Sequence, residues 1–228
     1  MMRFLMYNLG HMKQLPKIVI LGPQGSGKGT QADLLARRFR IPHISAGDLL
    51  RQERATHSRL GKKIATIIDH GNMVPDAIMS QIIRQRMQRP DAKRGWILDG
   101  YPRFVTQYRT FNTFAKPNIA ILLKLPGQMV TKRLADRRSC ANGHIYHLRH
   151  QPPRRRGFCD RDGLPLQPRE DDTPKAIKNR LHLYHRQTEP IMDIYRRQGI
   201  LITIDAKPKI SVVDRSISQQ LKKLPWLS

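Results

Sequence analysis

Lys17-Ile18-Val19-Ile20-Leu21-Gly22-Pro23-Gln24-Gly25-Ser26-Gly27-Lys28 is the stretch that decides the fold. Ile18 to Leu21 is an uninterrupted apolar run, as expected of a parallel strand buried on both faces. From Lys28 the spacing changes. Ala32, Leu34, Leu35, Ala36 and Phe39 supply the apolar face of a helix over residues 28–39. The turn between them carries Gly22, four residues, Gly27 and Lys28, the spacing of a phosphate-binding loop. Glycines let backbone amides fold round an anion, and the helix N-terminus adds partial positive charge. Lys28 supplies an ammonium that can follow a moving phosphate.

Outward from this loop the chain alternates strands and helices. Residues 97–99, 119–123 and 201–204 read as further buried strands, and 43–45 as another. Helices are expected over 75–88, 127–138, 173–197 and 210–223. This order implies an α/β fold with a central parallel sheet flanked by helices. Two segments break the rhythm. Residues 45–74 are helical but join two core elements. Residues 137–172 are rich in Pro, Gly and Arg, and so long a structureless loop would be unusual in a compact domain. They are expected to be inserts in a core formed by 17–44, 75–136 and 173–228, with 1–16 as an N-terminal tail.

The chain has 228 residues, enough to bury a substantial core. No run approaches the ~18 apolar residues that a membrane span needs. The apolar patch at residues 4–7 is too short for a signal-peptide core, so a cytoplasmic protein is expected. Two cysteines make no disulfide framework. The net charge of +25 comes from 42 Lys and Arg against 17 Asp and Glu, spread along most of the chain. With no aromatic-rich RNA-binding segment, it is read as a solvated basic surface, and no specific nucleic-acid partner is expected.

Lys28 is followed by Gly29 and Thr30, where most phosphate loops place Ser or Thr directly after the lysine. Gly22 to Gln31 resembles the phosphate loop of adenylate kinases and their nucleoside monophosphate kinase relatives. Ile44-Ser45-Ala46-Gly47-Asp48-Leu49-Leu50-Arg51 resembles the start of that family's monophosphate-binding segment. Asp99-Gly100-Tyr101-Pro102-Arg103 is similar to its Asp-Gly-Phe-Pro-Arg signature, and Arg169-Glu170-Asp171-Asp172 with Arg180 to the stretch that closes its lid. The resemblance covers nearly all of the chain after Leu15.

It implies reversible phosphoryl transfer from MgATP to AMP by a monomer. It casts 45–74 as the monophosphate-binding insert and 137–172 as a lid of the long form. Lys28, Arg103, Arg137, Arg169 and Arg180 become the catalytic set. ATP would meet Gly25, Ser26, Gly27, Lys28, Gly29, Thr30, Arg133, Arg137, Ile145, Tyr146 and Pro208. AMP would meet Ala46, Arg51, Asn72, Met73, Val74, Gly100, Tyr101, Pro102, Arg103, Gln107, Arg169 and Arg180. Asp99, with Asp48 as a second candidate, would hold magnesium through water, since that ion sheds water reluctantly.

Some relatives carry zinc in the lid, on four cysteines or on three cysteines and an aspartate. Here Cys140, Cys159 and Asp162 fall on ligand-like positions, the second ligand is missing, and His144 could substitute. A metal-free lid held by hydrogen bonds is the expectation. Ala46 resembles the UMP/CMP kinases, where adenylate kinases have Thr. Gln107 and the long lid favour AMP, because a side-chain amide can both donate to and accept from adenine. The remaining alternative is a non-catalytic nucleotide- and RNA-associated protein.

Overall fold

Every second residue of the central strands faces the same layer, and two cores result. Ile18 and Ile20 pack with Ile97, Ile119, Ile121 and Leu123 on one face of the sheet. Val19 and Leu21 pack with Leu98, Ala120 and Leu122 on the other. The computed structural model describes residues 15–56, 58–69, 74–169 and 172–227. Among these, five strands form a parallel sheet in the order β2-β3-β1-β4-β7: β1 (Lys17–Leu21), β2 (His43–Ser45), β3 (Trp96–Asp99), β4 (Ile119–Lys124) and β7 (Leu201–Asp205).

Helices cover both faces. α1 (Lys28–Phe39), α6 (Gly127–Ala135), α7 (Pro174–Leu183) and α9 (Ile210–Leu221) add Leu35, Leu134, Ile177 and Ile217 to the first core. α4 (Asp76–Met87), α5 (Val105–Asn112) and α8 (Glu189–Arg197) add Ile83, Phe111 and Tyr195 to the second. Residues 45–74 carry α2 (Ala46–Arg54) and α3 (Arg59–Asp69), whose Ile64 packs with Ile78 and Ile82 of α4.

Two expected helices are corrected. The helix expected over 127–138 stops at Ala135, because Arg137–Ser139 turns into strand β5, paired antiparallel with β6 (Ile145–His147). Arg138 Nη1 donates to Ala135 O at 2.8 Å and so satisfies a carbonyl at the helix end. The helix expected over 173–197 is α7 and α8 joined by a π-helical turn, Tyr184–Thr188. Pro190 has no N–H to give to the carbonyl four residues back, so the regular ladder cannot run through.

Candidate active site

The phosphate loop leaves β1 at Gly22. A Cβ there would stand 2.6 Å from Leu123 O, so only glycine lets the loop pass this close to β4. Gly27 caps α1 in the left-handed region, at φ 89°, which turns the chain sharply into the helix. Gly25, Ser26, Gly29 and Thr30 lie along this turn, and Ser26 Oγ is buried without a hydrogen-bond partner. Lys28 Nζ reaches back to donate to Pro23 O at 2.9 Å. Burial lowers the Lys28 pKa below its ordinary 10.5. Asp99 pulls it up, and the Arg103 and Arg137 charges push it further down. One ammonium therefore feels a carboxylate at the end of β3, a guanidinium from the predicted acceptor side and one from the predicted lid.

Asp99 Oδ1 is buried with no hydrogen-bond partner, and Oδ2 faces Gly29, 3.7 Å from where a Cβ would sit. An orphaned carboxylate oxygen beside a phosphate loop fits a hydrated divalent cation. Asp48 is differently engaged. It forms an ion pair with Arg51, one turn along α2, while its N–H is capped by Ser45 Oγ. His43, beside these carboxylates, bonds Asp33 at 2.8 Å. Burial opposes its charge, but Asp33, Asp99 and Asp48 outweigh this and raise its pKa.

On the donor side, Arg133 Nη2 donates to Ala206 O and Lys207 O, both at 2.9 Å, just before exposed Pro208. Arg137 makes two bonds to Asp172, at 2.7 and 2.5 Å. Arg180 donates to Gln24 Oε1 at 2.8 Å, and its guanidinium lies 3.8 Å from the same Asp172. Arg169 O accepts from Asp172 N–H at 3.0 Å. Ile145 is exposed, whereas the Tyr146 ring is buried in the hairpin's own small core and its hydroxyl accepts from Asp160 N–H.

On the acceptor side, Ala46 is buried at the start of α2 and offers no polar atom. Gly100 (φ 81°) turns the chain after Asp99, and the Tyr101-Pro102 peptide is cis. Tyr101 is buried, its hydroxyl 2.8 Å from Ser80 Oγ, and Arg103 Nε donates to Gly100 O at 2.8 Å. Gln107 is buried and bound at both ends: Oε1 accepts from Arg103 N–H at 2.8 Å, and Nε2 donates to Asp76 Oδ1 at 2.7 Å. A cavity of about 540 Å³ opens here, lined by Val74, Asp76, Phe104, Thr106 and Gln187 among others. Asn72 and Met73 lie outside the described residues.

Residues 137–172, the predicted lid, bring together the four residues singled out in their sequence. Cys140 Sγ lies 3.5 Å from His144 Nδ1 and 3.3 Å from Asp162 Oδ2. Cys159 Sγ lies 3.3 Å from His144 Nδ1, which is 3.0 Å from Asp162 Oδ2. All four donor atoms fall within 4.8 Å of one another. Bonds of about 2.0–2.3 Å to a tetrahedral zinc put donors roughly 3.3–3.8 Å apart, so the set fits that ion.

Several supporting residues carry no signal in the sequence. Asp76 orients Gln107, and Thr188 Oγ1 donates to Arg103 O at 3.0 Å, whereas Asp172 and Gln24, which hold the arginines, stand inside the motifs already quoted. Thr188 and Arg103 are 85 residues apart, and no local pattern announces such a pair.

Similarity to known proteins agrees with this geometry. The sequence profile of one family, described as adenylate kinase, matches residues 20–200. An adenylate kinase of Streptomyces avermitilis is 41% identical over 214 residues, covering 91% of this chain and 97% of its own length. Those of Methanothrix thermoacetophila and Clostridium beijerinckii are 39% and 37% identical, each over 90% of this chain and 98% of their own length. With a phosphate loop whose Lys28 feels Arg103 and Arg137, and with a family profile and relatives about 40% identical matching most of its sequence, the chain belongs to the adenylate kinase family.

Proposed function

We propose that this protein moves a phosphoryl group reversibly between ATP and AMP, giving two ADP. The observation that carries the reading is the setting of Lys28, within electrostatic reach of Arg103 and of Arg137. Two polyanions can meet only where cations from both sides converge. ATP is read into the loop from Gly25 to Thr30, with its base between Arg133 and the backbone near Ile145 and Pro208. AMP is read beside Ala46, Arg51, Val74 and Gln107, its phosphate on Arg51 and Arg103.

These cations rest on protein oxygens: Lys28 on Pro23, Arg51 on Asp48, Arg137 on Asp172, Arg180 on Gln24. Substrate phosphates would replace those partners, so each cation is held near the site before transfer, Lys28 and Arg137 already largely desolvated. An AMP phosphate oxygen attacks the γ-phosphorus directly, and the ADP oxygen leaves. The lid, residues 137–172, excludes the water that would otherwise take the phosphoryl group. Asp99 would hold magnesium through water, and the ion would supply neutralisation of phosphate charge there. The lid set Cys140, His144, Cys159 and Asp162 suits zinc as a clasp remote from the chemistry. We read the protein as a cytoplasmic monomer, and no described helix is long and apolar enough to cross a membrane.

A coupled assay of ADP formation with AMP, UMP and CMP tests the reading. AMP is expected to be the preferred acceptor. Equal use of UMP would show that Ala46, rather than Gln107, sets the acceptor.

A further inference from the structure

The net charge of +25 exceeds what a nucleotide site uses, and the topology shows where part of it goes. A parallel sheet has two unlike ends. The phosphate loop and Asp99 stand at the C-terminal ends of the strands. At the other end, the segments that enter the strands lie side by side. Trp96 N–H donates to Pro16 O at 3.1 Å, Ile97 N–H to Pro42 O at 2.9 Å, and Asn118 N–H to Lys17 O at 3.0 Å. Exposed cations sit just before four of the strands: Arg40 before β2, Lys93 and Arg94 before β3, Lys116 before β4, and Arg197 before β7.

α9 adds Lys222 and Lys223, both exposed. It lies along α1 in the same direction, since Gln31 bonds Ile210 O near the start of both helices and Arg38 bonds Ser218 and Asp214 near their ends. Carboxylates on these entering segments are few and already engaged. Asp91 pairs with Arg86, and Asp193 with Arg196. Among the described residues none of the seven cations is ion-paired.

Two ordinary explanations fall short. Cations at helix C-termini complement the helix dipole, which suits Arg197 and the C-cap residues Arg40 and Lys222, but Lys93 follows only the single 3-10 turn Pro90–Ala92, and Arg94 and Lys116 lie in loops beyond the last turns. Attraction of nucleotide to the cleft does not need them either. The strands put these residues roughly 15 Å or more from the phosphate loop, beyond a Debye length of about 8–10 Å in physiological salt.

We propose that this end of the molecule binds the phosphate backbone of nucleic acid, without preference for sequence. Five strands about 4.8 Å apart make the face roughly 20 Å wide, enough to meet several phosphates of one strand. An anionic bilayer is the weaker fit. Among the described residues the exposed large apolar side chains are Ile145, Leu148 and Val212. They lie in residues 137–172 and the first turn of α9, so among the described residues the cationic end offers a membrane no exposed large apolar side chain to insert.

The test uses the full chain, fluorescence anisotropy with single-stranded RNAs of about 20 nucleotides in two sequences, and a salt series from about 50 to 300 mM. The variant is Arg40→Gln/Lys93→Gln/Arg94→Gln/Lys116→Gln. The wild type should bind both RNAs equally, with log affinity falling linearly in log salt. The variant should bind about tenfold more weakly or worse, and its salt slope should shrink by about 3. Its phosphoryl-transfer kinetics should be unchanged and its Tm no lower than the wild type's. Saturating ATP and AMP should leave RNA bound. The proposal is overturned if no RNA binds at the lowest salt or the variant binds as tightly. Displacement by nucleotides, or tighter binding to phosphatidylserine vesicles than to RNA, overturns it as well.

Discussion

At the scale of single residues, chemistry is set by what each group does before substrate arrives. Lys28 carries a depressed pKa because burial strips its water and two arginines repel its charge, against the pull of Asp99. A lysine with a lowered pKa loses its proton below the ordinary 10.5, and phosphate binding restores the proton by adding negative charge. So kcat/KM for ATP, which reports the free enzyme, should fall on the alkaline side with a midpoint below 10.5, while kcat persists to higher pH. Lys28→Met should lose most transfer at every pH while the fold survives. A kcat/KM that stays flat past the ordinary lysine value would remove Lys28 from phosphate binding. Gln107 shows what a sequence can and cannot say. Its place four residues after Arg103 suggested a reader of the acceptor base. Its burial, and its bonds to Arg103 N–H and Asp76, were not legible, because Asp76 lies 31 residues away. Those two bonds use one lone pair and one N–H, so an acceptor and a donor remain for adenine. Gln107→Leu should lower kcat/KM for AMP by roughly ten- to a hundredfold, from about 1–3 kcal/mol of unpaired polar groups, and should also lower Tm. Asp76→Ala separates the two effects: it removes the partner that fixes Nε2 while Arg103 N–H still holds Oε1, so AMP preference should weaken with the bond to Arg103 kept. An unchanged AMP preference in both variants would show that the base is read elsewhere.

At the scale of elements, the buried strands were legible and the lid's internal structure was not. Ile119 to Leu123 reads as a strand between two helix layers, since every side is apolar and the run is too short for a buried helix. Arg137-Arg138-Ser139 has no such signature. It continues the polar spacing of the preceding helix, and it becomes a strand because β6 supplies backbone partners. The small core of that hairpin is poor in carbon: Cys140, Tyr146 and Cys159, with Leu164 and Leu166 against them. So little apolar surface gives little stability by burial alone, and a cross-link by metal would supply the remainder. The purified protein should contain about one equivalent of zinc after metal-supplemented expression. Chelation should lower Tm and make the lid more sensitive to proteolysis, and His144→Ala should lower zinc content. If elemental analysis finds no zinc in the wild type, the four side chains hold the lid through hydrogen bonds to one another.

At the scale of the whole molecule, charge is the unusual quantity. With 42 Lys and Arg against 17 Asp and Glu, acidic partners run out long before the cations do. The ion pairs that do form, such as Arg38 with Asp214 and Arg137 with Asp172, leave most of the positive surface uncompensated. Folding brings these charges closer together than they stand in the extended chain, so repulsion opposes the compact state. Salt acts on this directly. The screening length falls from about 30 Å at 0.01 M to about 8 Å at 0.15 M, below the distance across the fold but above the length of an ion pair. Added salt should therefore weaken long-range repulsion more than it weakens the few close attractions, and stability should rise. A gain on the order of 1 kcal/mol would raise Tm by roughly 2–4 °C in a chain of this size. The measurement is Tm by calorimetry at about 20 and about 300 mM sodium chloride, with metal content and pH held fixed. Chloride is the appropriate anion, because sulfate or phosphate would also bind the phosphate loop and stabilise by mass action. A Tm that falls with salt would mean that close ion pairs, rather than net repulsion, dominate the electrostatics of this fold.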